Sequence, residues 1–289
     1  YCITVPPCMV LPTAEVFCLR MQISALLLDV FRTDLMMFFQ IVPLAKRLLA
    51  TWLVLLCMAV SGWSAELDVA ALVREVEQQY MGASSHALTT MQVKTSHWER
   101  ILEMEAWSVG RDYFLIRILD PAKERGVATL KRDREVWNYL PKVDRVIKVP
   151  PSMMGSAWMG SHITNDDLVK ANHIEEDYRL SLLEESGTHY VIECLPKPQA
   201  AVVWGKIIYH VRKSPRVPEQ VDYFDEEMVL VRELHFDDVQ QVGDRTVPLR
   251  LTVLPVEKPD EMTVLHYREL VFDLNLDETY FSLRNLQSH

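Results

Sequence analysis

Few residues in this chain of 289 combine the types and spacing that catalysis needs. His173-Ile174-Glu175-Glu176 begins like a helical zinc motif but lacks the second histidine one turn later. The acidic runs Asp166-Asp167, Glu175-Glu176-Asp177, Glu184-Glu185 and Asp237-Asp238 have the chemistry of a hard-cation site, yet their spacing reads as solvated turns and helix starts. A serine nucleophile elbow, a phosphate-binding glycine loop, a dinucleotide fingerprint and a Cys-x-x-Cys pair are all missing from the sequence. The 9 histidines stand singly. The remaining catalytic reading is a hydrolase that uses His162 with Asp166 or Asp167. No catalytic residue is assigned, and no metal or cofactor is expected.

Residues suited to binding are more concentrated. Between Pro150 and Ser161 the chain gathers Met153, Met154, Gly155, Trp158, Met159 and Gly160. Glycine hinges, adaptable methionines and an amphipathic indole suit a movable lid over an apolar ligand. The same residues also suit a plain loop that plugs a core, and the two readings stand level. Trp107, Trp137 and Trp204, with Trp98, are further aromatic candidates and fall mostly on expected strands.

The elements that must carry these residues follow from hydrophobic period. Val69, Leu72, Val73, Val76 and Tyr80 fall on one helical face, with Arg74, Glu75, Glu77 and Gln78 expected to face away. Asp68 is placed to cap this helix and Gly82 to stop it. A short helix is expected after Thr164 or Asn165, running through Asp166 and Asp167 to Lys170 with acids first and base last. From Leu102 onward the period is two, in runs separated by turns such as Pro141-Lys142, Ser186-Gly187 and Gly243-Asp244. These runs predict one large antiparallel meander of about 10–11 strands. Two helices are thin cover for such a sheet, so an apolar-lined, partly open cavity is expected.

The amino-terminal part reads differently. Residues 1–43 carry no consistent period; then come Lys46-Arg47, an apolar run from Leu48 to Val60 and the small-residue stretch Ser61-Gly62-Trp63-Ser64-Ala65. This is the pattern of a signal peptide over 44–64, cleaved near Ser64 or Ala65. The apolar run is shorter than the roughly 18–20 residues of a membrane anchor. Residues 1–43 are read as an upstream extension, with translation starting near Val42 or Leu44, and 65–289 as a single domain. Removing residues 1–64 leaves 26 basic and 37 acidic residues, a net charge of −11, and one cysteine, Cys194. A lone cysteine cannot form an internal disulfide, and burial in a strand is its expected state. The acidic balance argues against binding nucleic acid.

Several strings resemble a known family: Trp137-Asn138-Tyr139-Leu140-Pro141, Arg145 to Pro150, Met153 to Gly160 followed by Thr164-Asn165-Asp166-Asp167-Leu168-Val169, and Pro196-Lys197-Pro198 with Val203-Trp204-Gly205-Lys206. They resemble the bacterial outer-membrane lipoprotein-sorting proteins, a larger branch related to the carrier LolA, and the likeness covers 67–289 including Phe281-Ser282-Leu283. The resemblance implies an α+β, β-dominated fold: a curved antiparallel sheet forming a half-open barrel, covered by the helix at 68–80 and a helical lid within 153–170. It also implies a non-catalytic periplasmic chaperone, a monomer, whose cavity shields the acyl chains of lipids or lipidated proteins. Its partners would be an inner-membrane transporter and an outer-membrane acceptor. A scaffold that binds an envelope protein through a sheet edge is the alternative.

Overall fold

The Asp68 carboxylate accepts the Ala71 N–H at 2.9 Å and opens helix α1 (Val69–Met81), as the capping position predicts. Gly82 closes it at φ +68°, a left-handed geometry that glycine takes without strain, and its N–H donates to the Gln78 carbonyl. The structure, a computed structural model, describes residues 67–170 and 173–288. The signal peptide at 44–64 and the extension 1–43 lie outside the described residues. Among those described, no helix is long and apolar enough to cross a membrane.

Two meanders follow α1. The first is β1 (Ser84–Lys94), β2 (Glu99–Val109), β3 (Tyr113–Asp120), β4 (Ala128–Arg132), β5 (Glu135–Leu140) and β6 (Arg145–Lys148). A crossover carrying α2 (Asn165–Lys170) and α3 (Ile174–Asp177) leads to the second. That one is β7 (Tyr178–Glu185), β8 (His189–Pro196), β9 (Lys206–Lys213), β10 (Arg216–Phe224), β11 (Leu230–Val242), β12 (Arg245–Pro255) and β13 (Met262–Phe272), before a final turn of helix, α4 (Leu283–Gln287). All 13 strands form one antiparallel sheet in the order β6-β5-β4-β3-β2-β1-β13-β12-β11-β10-β9-β8-β7. The halves join where β1 pairs with β13, in register from Ser85–Phe272 to Lys94–Met262 with a bulge at Leu88/Thr89. The outer strands β6 and β7 do not pair with each other, so the half-barrel stays open.

The fold class is the expected one, with more strands than the period suggested. The strand that the sequence concealed is β1. Its buried positions Ala87, Thr89, Met91 and Val93 mix small, polar and apolar types, while Leu88 lies on the less buried face, so alternation in space is not alternation in hydropathy. The tryptophans correct another expectation. Trp107 and Trp137 are on strands, but Trp98, Trp158 and Trp204 lie in turns and loops.

The core divides into three clusters. Leu72, Val73 and Val76 of α1 pack on Ile192, Cys194, Tyr209, Val211, Val221 and Tyr223 of β8, β9 and β10. Trp158 of the crossover packs on Met91, Val93, Leu102, Met104 and Ile118 of β1, β2 and β3. On the other face of the first meander, Phe281 and Leu286 cover Leu115, Leu130 and Tyr139. Each such large side chain contributes about 1.5–3 kcal/mol on burial. Cys194 is a fully buried free thiol, as its strand position predicts, and burial pushes its pKa up to about 12.

Candidate functional site

The inner face of the sheet is covered in two parts, α1 over one meander and the crossover over the other, and a cavity of about 310 Å³ lies between them. Its walls are mainly apolar: Met104, Ala106, Leu234, Phe236, Leu265 and Leu270 represent the sheet, and Val76 and Ile174 the cover. Tyr80 of α1 meets Tyr267 of β13 edge to face at 6.0 Å on one side. The volume is at the small end of ligand-binding cavities, roughly 300–1,000 Å³.

The crossover is pinned at several points. The Trp158 indole is 3% exposed, and its Nε1 donates to Thr129 Oγ1 at 3.0 Å. Arg232 of β11 grips Asp167 with two bonds, 2.6 and 2.8 Å, while its Nη1 also donates to the His162 carbonyl at 3.1 Å. The same guanidinium lies over the Trp204 and Tyr223 rings at 4.5 and 4.3 Å. Burial alone would raise the Asp167 pKa; the Arg232 bonds, with those from Thr164, outweigh it and hold the carboxyl below its ordinary value. Asp167 thereby serves twice, since its carboxylate accepts from the Thr164 N–H while its own N–H donates to Thr164 Oγ1, a capping box for α2. Burial pushes its neighbour Asp166 up despite Lys170 at 3.0 Å.

The third pin is His162, whose Nδ1 meets Thr263 Oγ1 at 2.9 Å and whose Nε2 meets Glu261 Oε2 at 3.1 Å. The hydrogen bond from His162, with others from Ser96, holds the Glu261 carboxyl down to about 2. A hydroxyl, an imidazole and a carboxylate in line have the connectivity of a nucleophilic triad. Burial decides against that reading: Thr263 is 0% exposed, and neither it nor His162 lines the cavity. Asp166 and Asp167 are not the imidazole's partners, which removes the geometry of the hydrolase reading; one holds Lys170 and the other Arg232. Nor are these two acids solvated, as their doublet suggested.

The sequence-predicted binding residues scatter around the cavity. Trp158 lines it, and Met159 packs beside Trp158 with its carbonyl held by Arg100. Gly160 takes φ +66°, and a Cβ at this position would come within 3.3 Å of Arg100 Nη2 and 3.9 Å of the Trp98 ring. Met153 is 52% exposed, Met154 is half-buried, and Gly155 has open space around it; none of these three reaches the cavity. Trp107 borders the cavity, but strand alternation turns Ala106 and Ser108 inward, and its indole packs with Tyr280 at 5.7 Å on the other face. Trp137 packs in that same outer cluster. Trp204 packs on Tyr223 at 5.0 Å behind Arg232.

Sequence reasoning missed the polar groups in the cavity wall. Glu77 was expected to face away from the core, yet it is 4% exposed, and neither carboxylate oxygen has a hydrogen-bond partner among the described residues. Its position four residues after Val73 and three before Tyr80 was the available signal. Desolvation, with Glu175 nearby, outweighs Arg111 at 3.8 Å and raises the Glu77 pKa to about 8. Lys131 is 1% exposed, donates to the Arg111 carbonyl, and is lowered by desolvation to about 8. Arg111 itself is paired with Glu175 at 2.6 Å and Glu176 at 3.3 Å.

A family model described as an uncharacterized protein matches residues 110–288. No curated protein matches the chain. Among solved structures, a DUF1329 family protein from Desulfovibrio piger superposes with a TM-score of 0.68 at 23% identity, over 75% of this chain and 97% of that one. An outer membrane lipoprotein-sorting protein domain from Vibrio parahaemolyticus gives 0.65 at 22% identity, over 75% and 97%. A LolA superfamily protein from Nitrosomonas europaea gives 0.65 at 20% identity, over 76% and 100%. The chain belongs to the family that the model describes, and its fold is that of the LolA-like, outer membrane lipoprotein-sorting proteins.

Proposed function

We propose that this protein is a periplasmic, non-catalytic carrier that shields acyl chains of lipids or lipoproteins and conveys them toward the outer membrane. The observation that carries the reading is the apolar cavity between the sheet, α1 and the crossover. Burial of one methylene contributes about 0.8 kcal/mol. A palmitoyl-length chain would therefore gain roughly 10 kcal/mol before the costs of ordering and association. Trp158 and Leu168 supply its cover from the crossover, and Val76 and Tyr80 from α1. An acidic surface disfavours adhesion to anionic membranes, which suits a shuttle. On this reading its partners are an inner-membrane donor and an outer-membrane acceptor, and it works as a monomer after removal of a signal peptide.

The test is lipid extraction and mass spectrometry of the purified protein, followed by titration of the delipidated protein with a fluorescent fatty acid. Co-purified acyl lipid and saturable binding are expected. A protein that carries no lipid and binds no probe would remove the proposal.

A further inference from the structure

Three hydroxyl side chains meet on the inner face of the sheet where its two halves join. Thr89 of β1 stands opposite Tyr267 of β13, and the Tyr267 ring meets Tyr80 of α1 edge to face at 6.0 Å. All three line the cavity. The bulge between β1 and β13 sets this up. Leu270 pairs with Ala87, Glu269 with Leu88 and Tyr267 with Thr89, so Arg268 is the extra residue. Plain alternation would turn Arg268 inward after Leu270; the bulge leaves it exposed and paired with Glu103 at 3.2 Å, and turns Tyr267 to the cavity.

These hydroxyls carry donors that the fold does not use. The Tyr80 and Tyr267 hydroxyls have only each other as hydrogen-bond partners among the described residues. A bond between two hydroxyls takes one of their two protons, so one O–H is left to give. Thr89 is 4% exposed, and its hydroxyl makes no hydrogen bond among the described residues. Beside them Ala87 and Ala106, paired directly across β1 and β2, leave room on the cavity floor. A hydrocarbon chain that fills this room expels water, so the donors then need an acceptor from the ligand itself.

We propose that Thr89, Tyr80 and Tyr267 form a seat for the carbonyl oxygen of an acyl ester whose chain lies over Ala87 and Ala106. This rests on the acyl-carrier reading and deepens it: the cavity selects acyl groups over plain alkyl chains. A carbonyl oxygen has two lone pairs and no proton, which matches two donors in an otherwise apolar wall. An alkyl ether of the same length lacks that oxygen.

Monolauroylglycerol and its ether analogue, dodecylglycerol, share head group and chain length and differ in the carbonyl. The delipidated protein is titrated with each by calorimetry, alongside Thr89→Val and the double variant Tyr80→Phe/Tyr267→Phe, which keep side-chain shape. The ester should bind about tenfold more tightly than the ether, the worth of two neutral hydrogen bonds. Each variant should lose part of that preference, and all three substitutions together should abolish it, while the ether's affinity holds throughout. Equal affinity of the unaltered protein for ester and ether would overturn the carbonyl seat and leave the acyl cavity standing. So would a parallel fall of both affinities in the variants, which marks a packing role. Failure of the unaltered protein to bind either ligand would overturn the acyl cavity as well.

Discussion

Glu77→Gln tests directly whether a proton is held inside the cavity wall. An unfolded glutamate ionises near 4.5, whereas Glu77 in the folded chain keeps its proton to about 8, chiefly because burial penalises the anion. Between those values the folded state binds more protons than the unfolded state, so stability must fall as pH rises. The slope is about 1.4 kcal/mol per pH unit. The contribution is intact below 4.5, is reduced by about 4 kcal/mol at pH 7.5, and levels off above about 8. Glutamine has nearly the same shape and cannot ionise. The variant and the unaltered protein should therefore be equally stable near pH 4.5, with the variant gaining a lead that grows to about 4 kcal/mol by pH 7.5. Urea denaturation of both, delipidated, at half-unit steps from pH 4.5 to 8 measures the difference, and taking the difference cancels titrating groups that do not interact with Glu77. A lead that is constant across the range would refute the buried proton and the cause assigned to it.

Three further outcomes follow from the pins and the core. Trp158→Ala removes an indole that is 3% exposed together with its bond to Thr129, so thermal unfolding should show a loss of about 3–5 kcal/mol; a loss under about 1 kcal/mol would mean that the indole acts as a free lid and not as a plug. Asp167→Asn leaves the Arg232 charge buried without its counter-ion and should cost about 3–5 kcal/mol, most of it recovered when Arg232→Met is added; additivity of the two changes in denaturant melts would contradict the pairing. Cys194, with its thiol pushed up to about 12 by burial, should resist iodoacetamide in the native protein and react fully in urea, and rapid native labelling would disprove its placement.

Regular periods made most of this fold readable. The amphipathic stripe, the Asp68 cap and the Gly82 stop specify α1 closely, and the alternating runs locate every strand except β1. β1 escaped because it sits mid-sheet, where Thr89 and Ala87 fill the inner face as well as a large aliphatic would. The site was much less readable. The Met-Gly-Trp string drew attention to the crossover, where Trp158 lines the cavity while Met153, Met154 and Gly155 lie on the outer surface. Glu77 and Lys131 were invisible because a charged residue on a helix or strand ordinarily means solvent, and only the pairing of distant elements around Arg111 puts them inside. Arg232 and Asp167 are 65 positions apart, a distance no local pattern spans.

The strand order has a mechanical consequence. β6 and β7 are neighbours in the chain and the two outermost strands of the sheet, so the crossover between Lys148 and Tyr178 ties the tips of the sheet together as a string ties a bow. The string is clamped along its length to β4 by Trp158, to β11 by Asp167 and to β13 by His162. A bow so strung cannot flatten without paying out string, and its string cannot lift without releasing a clamp. Aperture and curvature are therefore coupled through the length of the crossover and the strength of its clamps, these three among them.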